Sequence, residues 1–136
     1  MIPPFAPGGN LPPGIHWATW EEVVDRFGWT DRRRRLLVGL RLAMDELAAA
    51  GCRAIYVDGS FVTSKRNPGD FDACWESEGV VAARLDPMLI AYDAFRRGQK
   101  AKYGGELFAA EAVADLYGTR FIDFFQIDAD TGEPKG

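Results

Sequence analysis

Apolar residues in the first half of this chain recur at helical spacing, and later they gather in short blocks. Residues 1–14 follow neither pattern. They hold five of the eight prolines, together with Gly8, Gly9 and Gly14. Proline fixes φ and lacks an amide hydrogen, so this stretch predicts an extended arm laid across the body. Thr19-Trp20-Glu21-Glu22 has the order of a capping box and opens a short helix ending near Gly28. A second helix is predicted from Thr30-Asp31. Its stripe is Leu36, Leu37, Leu40, Met44 and Leu47, and Gly51 stops it.

The blocks that follow read as strands and further helices. Ala54-Ile55-Tyr56-Val57 is a β-rich run ending at Asp58-Gly59-Ser60, residues 61–69 form a loop or a single turn, and 70–75 form the next strand. Asp86-Pro87 predicts a third helix, with Asp as cap, Pro at the first position, and Met88, Leu89, Tyr92 and Phe95 as its buried stripe. Gly104-Gly105 separates it from a fourth helix predicted over 106–117 and closed by Gly118. Arg120 to Ile127 reads as the last strand, and Asp128 to Gly132 as a turn. The predicted fold is a single α/β (α+β) domain over 1–136, with a small mixed β-sheet flanked by helices and residues 1–14 as its arm. The sequence stops soon after a turn that should open another strand. Part of the sheet is therefore expected from a longer tail or from the mate in a homodimer.

Composition narrows the class. With 136 residues, 47% hydrophobic and 26% charged, the chain can build one globular core. A net charge of −4 argues against a general nucleic-acid coat, although local basic clusters can guide a polyanion. No apolar run approaches the roughly 20 residues that span a membrane, and the N-terminal stretch has no leader pattern, so no membrane partner and a cytoplasmic location are expected. The only cysteines, Cys52 and Cys74, lack zinc-ligand spacing. The single histidine, His16, lies in the Pro-rich stretch. It reads as a polar arm contact, which disfavours Ser-His hydrolysis.

The chemistry-bearing residues are Gly59-Ser60 and Asp70-Phe71-Asp72. Alternate strand positions share a face, so Asp70 and Asp72 would project side by side. Two parallel carboxylates repel each other unless a divalent cation sits between them. A Gly-Ser turn can present amides and a hydroxyl to a phosphate. In Phe121-Ile122-Asp123-Phe124-Phe125 both faces of the predicted strand are mostly apolar, which suggests a central strand. An isolated buried carboxylate there costs several kcal/mol, and a cation shared with Asp70 and Asp72 would relieve that cost.

These residues resemble the signature of the DNA polymerase β-type nucleotidyltransferase superfamily: a Gly-Ser turn, a D-x-D strand and a third carboxylate on a later strand. The size, and the helices before the Gly-Ser strand, are similar to the minimal nucleotidyltransferases of bacterial toxin–antitoxin modules. The string GSFVTSKRNPGDFD looks like a small uncharacterised branch of them. The resemblance covers roughly residues 54–127 and leaves 1–28 outside. It implies that Asp70 and Asp72 hold two Mg²⁺ ions and that Asp123 helps hold the one activating the attacking hydroxyl. Gly59 and Ser60 would grip the β- and γ-phosphates of a nucleoside triphosphate (NTP). The implied reaction is nucleotidyl transfer with release of pyrophosphate, the two metals stabilising the attacking and leaving oxygens. The implied acceptor is a side chain on a partner toxin or antitoxin protein, or the 3′ end of an RNA such as tRNA.

Lys65 lies between the turn and the carboxylates, either neutralising triphosphate charge or as a solvated loop lysine. Thr63 and Ser64 either add hydroxyl contacts or shape the turn. The run Arg32 to Arg35 opens the second helix, where cations oppose the dipole. It reads as a binding face for RNA or an acidic partner, or as a solvated face. Arg96, Arg97, Lys100 and Lys102 end the third helix, where the dipole favours them. Trp17, Trp20, Trp29 and Trp75 read as core or arm packing. No P-loop is present, and Asp128-x-Asp130-x-Gly132 lacks the glutamate of a calcium loop. The competing reading is a non-enzymatic antitoxin or regulator of the same fold, acting through protein–protein contact.

Overall fold

The computed structural model describes residues 1–90 and 97–136. Helices α1 (Trp20–Phe27) and α2 (Asp31–Ala49) come first, followed by strands β1 (Ile55–Asp58) and β2 (Phe71–Trp75). Helix α3 (Arg97–Tyr103), strand β3 (Gly105–Ala109) and helix α4 (Phe121–Phe124) complete the order. The sheet runs β1-β2-β3, with β1 antiparallel and β3 parallel to β2. The architecture is a small α/β fold on a three-stranded mixed sheet.

Both N-terminal helices form as their caps dictate. The Thr19 hydroxyl accepts from the Glu22 amide while Glu22 accepts from the Thr19 amide. Such a cap is worth about 1 kcal/mol. Thr30 caps α2 through the Arg33 amide. The apolar stripe of α2 packs on one face of the sheet, where Leu36, Leu40, Ala43 and Leu47 meet Phe71, Ala73, Trp75 and Leu107 in one core. Helix α3 crosses α2 at Gly39, where a Cβ would lie 1.7 Å from the Tyr103 carbonyl oxygen, so only glycine allows this approach. Gln99 of α3 closes the outer edge of β3, donating to the Leu107 carbonyl and accepting from the Leu107 amide.

The arm lies across the body as its composition predicts. Phe5 packs on Phe27 and Trp29, Leu11 is buried, and the Gly9 carbonyl accepts the Ser64 amide. His16 Nε2 contacts the Pro12 carbonyl at 2.7 Å, a contact within the N-terminal stretch.

The C-terminal half departs from the predicted pattern. Residues 86–90 make one 3₁₀ turn, Pro87–Leu89, capped by Asp86, with Leu89 buried and Met88 exposed. Tyr92, Phe95 and Arg96 lie outside the described residues. The helix predicted over 106–117 is instead strand β3 followed by turns. Ala, Glu and Leu favour helix locally, but the free edge of β2 offers a full ladder of backbone partners, and pairing overrides propensity. Gly105 permits that pairing, since a Cβ there would meet the Phe71 carbonyl oxygen at 2.4 Å. The strand predicted over Arg120 to Ile127 is instead the short helix α4. Its spacing puts Phe121 and Phe125 on one side, both against Phe108 of β3, with Phe121 stacked at 4.0 Å. Among the described residues, no helix is long and apolar enough to cross a membrane.

Candidate functional site

The second face of the sheet carries two rows of side chains, set by register. Tyr56, Cys74 and Phe108 align in one row, and Asp58, Asp72 and Glu106 align in the next. Side chains at paired positions of neighbouring strands project from the same face. The aromatic row is covered by Phe121 of α4 and Phe125 at its C-cap and, at its other end, by Trp17 against Tyr56. The acidic row lies beyond that cover. Asp70, one residue before β2, joins it through Lys100, whose Nζ lies 3.6 Å from Asp70 and 3.0 Å from Glu106.

The turn after β1 closes directly on this row. Gly59 has φ +78°, and a Cβ on it would lie 2.3 Å from the Asp72 Oδ2. Glycine is required here twice, for the left-handed backbone and for the approach of the carboxylate. Residues Ser60–Val62 then make a 3₁₀ turn. The sequence therefore places the Gly-Ser turn and the D-x-D strand together, as expected.

The electrostatics concentrate on Asp72. Burial, followed by the charges of Asp70, Glu106 and Asp58, pushes its carboxyl up to about 7, with Lys100 opposing. The Asp72 carboxylate has no hydrogen bond or ion pair among the described residues, and Lys100 acts on it only at longer range. Burial also raises Asp58, and an ion pair with Lys135 at 2.8 Å opposes that rise. Both members of that pair are nearly enclosed, with side chains 12% and 10% exposed.

Asp123 is not brought to this group. It sits on α4, half exposed, with its carboxylate 2.9 Å from Arg120. The expectation of a third carboxylate on a strand over 120–127 is corrected by this helical placement. The acidic side chain on the strand beside Asp72 is Glu106, and the C-terminal segment delivers a cation, Lys135, in place of a carboxylate. Glu106 carries a weak sequence signal, since Gly105-Glu106-Leu107-Phe108 is also a charge amid apolar residues. Lys65 is exposed, and its carbonyl, rather than its ammonium, is engaged, accepting from Arg33.

The donor set is all carboxylate oxygen, the chemistry that suits Mg²⁺. Asp58, Asp70, Asp72 and Glu106 outnumber Lys100 and Lys135, which leaves negative charge for a cation to neutralise. Asp70, Asp72 and Glu106 are the carboxylates grouped around Lys100. Among the described residues, no group of three or more carboxylate, imidazole or thiol side chains is placed to hold a metal ion. A cavity of about 390 Å³ lies elsewhere, between the N-terminal stretch and β1, and touches the acidic row only at Asp58.

A family model described as a family of unknown function, DUF6932, matches residues 3–136. The chain belongs to this family. The match takes in the arm and α1 as well as the sheet, so the DUF6932 unit includes the segment outside the nucleotidyltransferase resemblance. No curated protein and no solved structure matches the chain.

Proposed function

We propose that this protein is a Mg²⁺-dependent nucleotidyltransferase that moves a nucleoside monophosphate from an NTP to a hydroxyl on a macromolecule. The observation that carries the reading is the closure of Gly59 on Asp72. It sets a turn able to receive phosphate against a buried carboxylate on which three other carboxylates and one ammonium, Lys100, act. In this reading Asp70, Asp72 and Glu106 hold the metal, with Glu106 in the role expected of Asp123. When bound, the metal supplies Lewis-acid neutralisation of phosphate charge. The Ser60 hydroxyl and the turn amides orient the β- and γ-phosphates, and Lys100, 45% exposed beside Asp70 and Glu106, can reach the same phosphates. Positioning and charge neutralisation then contribute most of the rate.

The acceptor is a partner toxin or antitoxin protein or a tRNA end. Thermal shift with Mg²⁺ and NTPs, followed by transfer of labelled nucleotide to candidate acceptors, tests the reading. Metal-dependent binding and transfer, both abolished by Asp72→Asn in a folded protein, are expected. A wild-type melting temperature indifferent to Mg²⁺ and all four NTPs would sink it.

One observation favours the second reading, a binding protein acting by surface contact. Leu116 and Tyr117 stand 102% and 94% exposed on a turn held by Asp115, which accepts the Tyr117 and Thr119 amides. Loss of partner binding in Leu116→Ser, with Asp72→Asn behaving as wild type, would support that reading instead.

A further inference from the structure

The four arginines that open α2 do not form one surface. Arg33 is fully buried. Its guanidinium donates to the carbonyls of Phe61 at 2.6 Å, Thr63 at 2.8 Å, Lys65 at 3.1 Å and Phe27 at 3.3 Å. Its flat face lies 3.7 Å over the Trp29 ring. No carboxylate pairs with it among the described residues. Burial lowers its pKa to about 10, so it stays charged at neutral pH. Arg32 donates to the Pro68 and Gly69 carbonyls, and the Thr30 hydroxyl donates to the Arg66 carbonyl.

Thr30, Arg32 and Arg33 therefore hold six carbonyls between Phe61 and Gly69. This explains cations at a helix N-terminus, where the dipole opposes them, because their partners are carbonyl oxygens of a neighbouring loop. That loop connects the two halves of the candidate site, with Ser60 at one end and Asp70 at the other. Its carbonyls at 61, 63 and 65 all turn inward to one guanidinium. Such an arrangement fixes the path of the loop before any ligand arrives, and preorganisation of this kind lowers the cost of binding.

The geometry points to Arg33, seconded by Arg32, as a positioning residue that locks the Gly59-Ser60 turn in register with Asp70 and Asp72 for polyphosphate binding. The inference rests on the nucleotidyltransferase reading and deepens it. Lysine cannot replace Arg33 fully, since its three donors sit on one nitrogen and cannot span the carbonyls that the planar guanidinium fork reaches. Arg35, on the exposed side of α2, serves as a charge-matched control.

The test is calorimetric binding of Mg²⁺·tripolyphosphate to the full chain, which probes the turn without a base or an acceptor. Arg33→Lys and Arg32→Gln are each expected to weaken binding by roughly ten-fold or more at a temperature where circular dichroism shows both folded. Arg35→Gln is expected to bind as wild type at moderate salt. Arg32 is only partly buried, so Arg32→Gln keeps the test open if Arg33→Lys does not fold. A merely structural clasp would lower the melting temperature and leave the affinity of the folded protein unchanged. Wild-type affinity in folded Arg32→Gln, or an equal loss in Arg35→Gln, overturns the inference alone. No binding by the wild type overturns the phosphate reading together with it.

Discussion

Replacing Asp72 with asparagine should stabilise this protein, and the gain should depend on pH. The folded carboxyl is held at about 7 against an ordinary 3.8, first by burial and then by Asp70, Glu106 and Asp58. A raised carboxyl favours the protonated form in the folded state. Its ionisation therefore costs nothing at low pH, begins to cost above the unfolded value near 3.8, and reaches its full cost above about 7. At about 1.4 kcal/mol per pKa unit, the full cost is about 4 kcal/mol, a large share of a small domain's stability. Asparagine has nearly the same shape and carries no charge. Urea unfolding at about pH 4 and about pH 8 should thus show the stability difference between Asp72→Asn and wild type widening by about 4 kcal/mol in favour of the variant. Comparing variant with wild type at each pH cancels the titration of the other carboxylates to first order. Under the proposed function, Mg²⁺ at the higher pH should recover stability in the wild type and leave the variant unmoved. A difference that stays constant from low to high pH would refute the electrostatic argument, and with it the view that the site stores unneutralised charge.

Other outcomes follow from the same geometry. Lys135→Met leaves Asp58 buried without its partner, and should cost about 3–5 kcal/mol at neutral pH by chemical denaturation. The double variant with Asp58→Asn should recover most of that loss. Gly59→Ala forces a Cβ to within 2.3 Å of Asp72 at φ +78°, so the melting temperature should fall and Mg²⁺-dependent nucleotide binding should disappear. Glu106→Gln should abolish labelled-nucleotide transfer, whereas Asp123→Asn should leave both transfer and melting temperature at wild-type values. The reverse pattern in that pair of assays would restore Asp123 to the site.

Legibility along the chain followed the range of the interactions involved. The capping box at Thr19 and the leucine stripe of α2 are local signals, and the structure carries both. Gly59-Ser60 and Asp72 were also readable, because a left-handed glycine after a short strand and alternation along the next one bring them together through a single antiparallel pair. Glu106 was not, because its segment is rich in helix-favouring residues and becomes a strand only by pairing in parallel with β2. Asp123 misled for the complementary reason. Aromatic residues at 121 and 125 suit a strand by propensity, but the same spacing serves one side of a short helix, and Phe108 decides between them. The arginine run was visible as an anomaly against the helix dipole. Its explanation, the carbonyls of a loop some 30 residues away, was not.

By itself, the sequence determined the arm, the first two helices, the first two strands and the place where a turn meets a carboxylate. Each depends on caps, periodicity or glycine within a few residues. Only the tertiary structure decided that Glu106 lines up beside Asp72, that Lys100 and Lys135 are the cations beside the row, and that Arg33 is a clasp. Strand pairing and ion pairing join residues far apart in the chain, and the backbone hydrogen bonds that outweigh local preference exist only once the partner strand is in place.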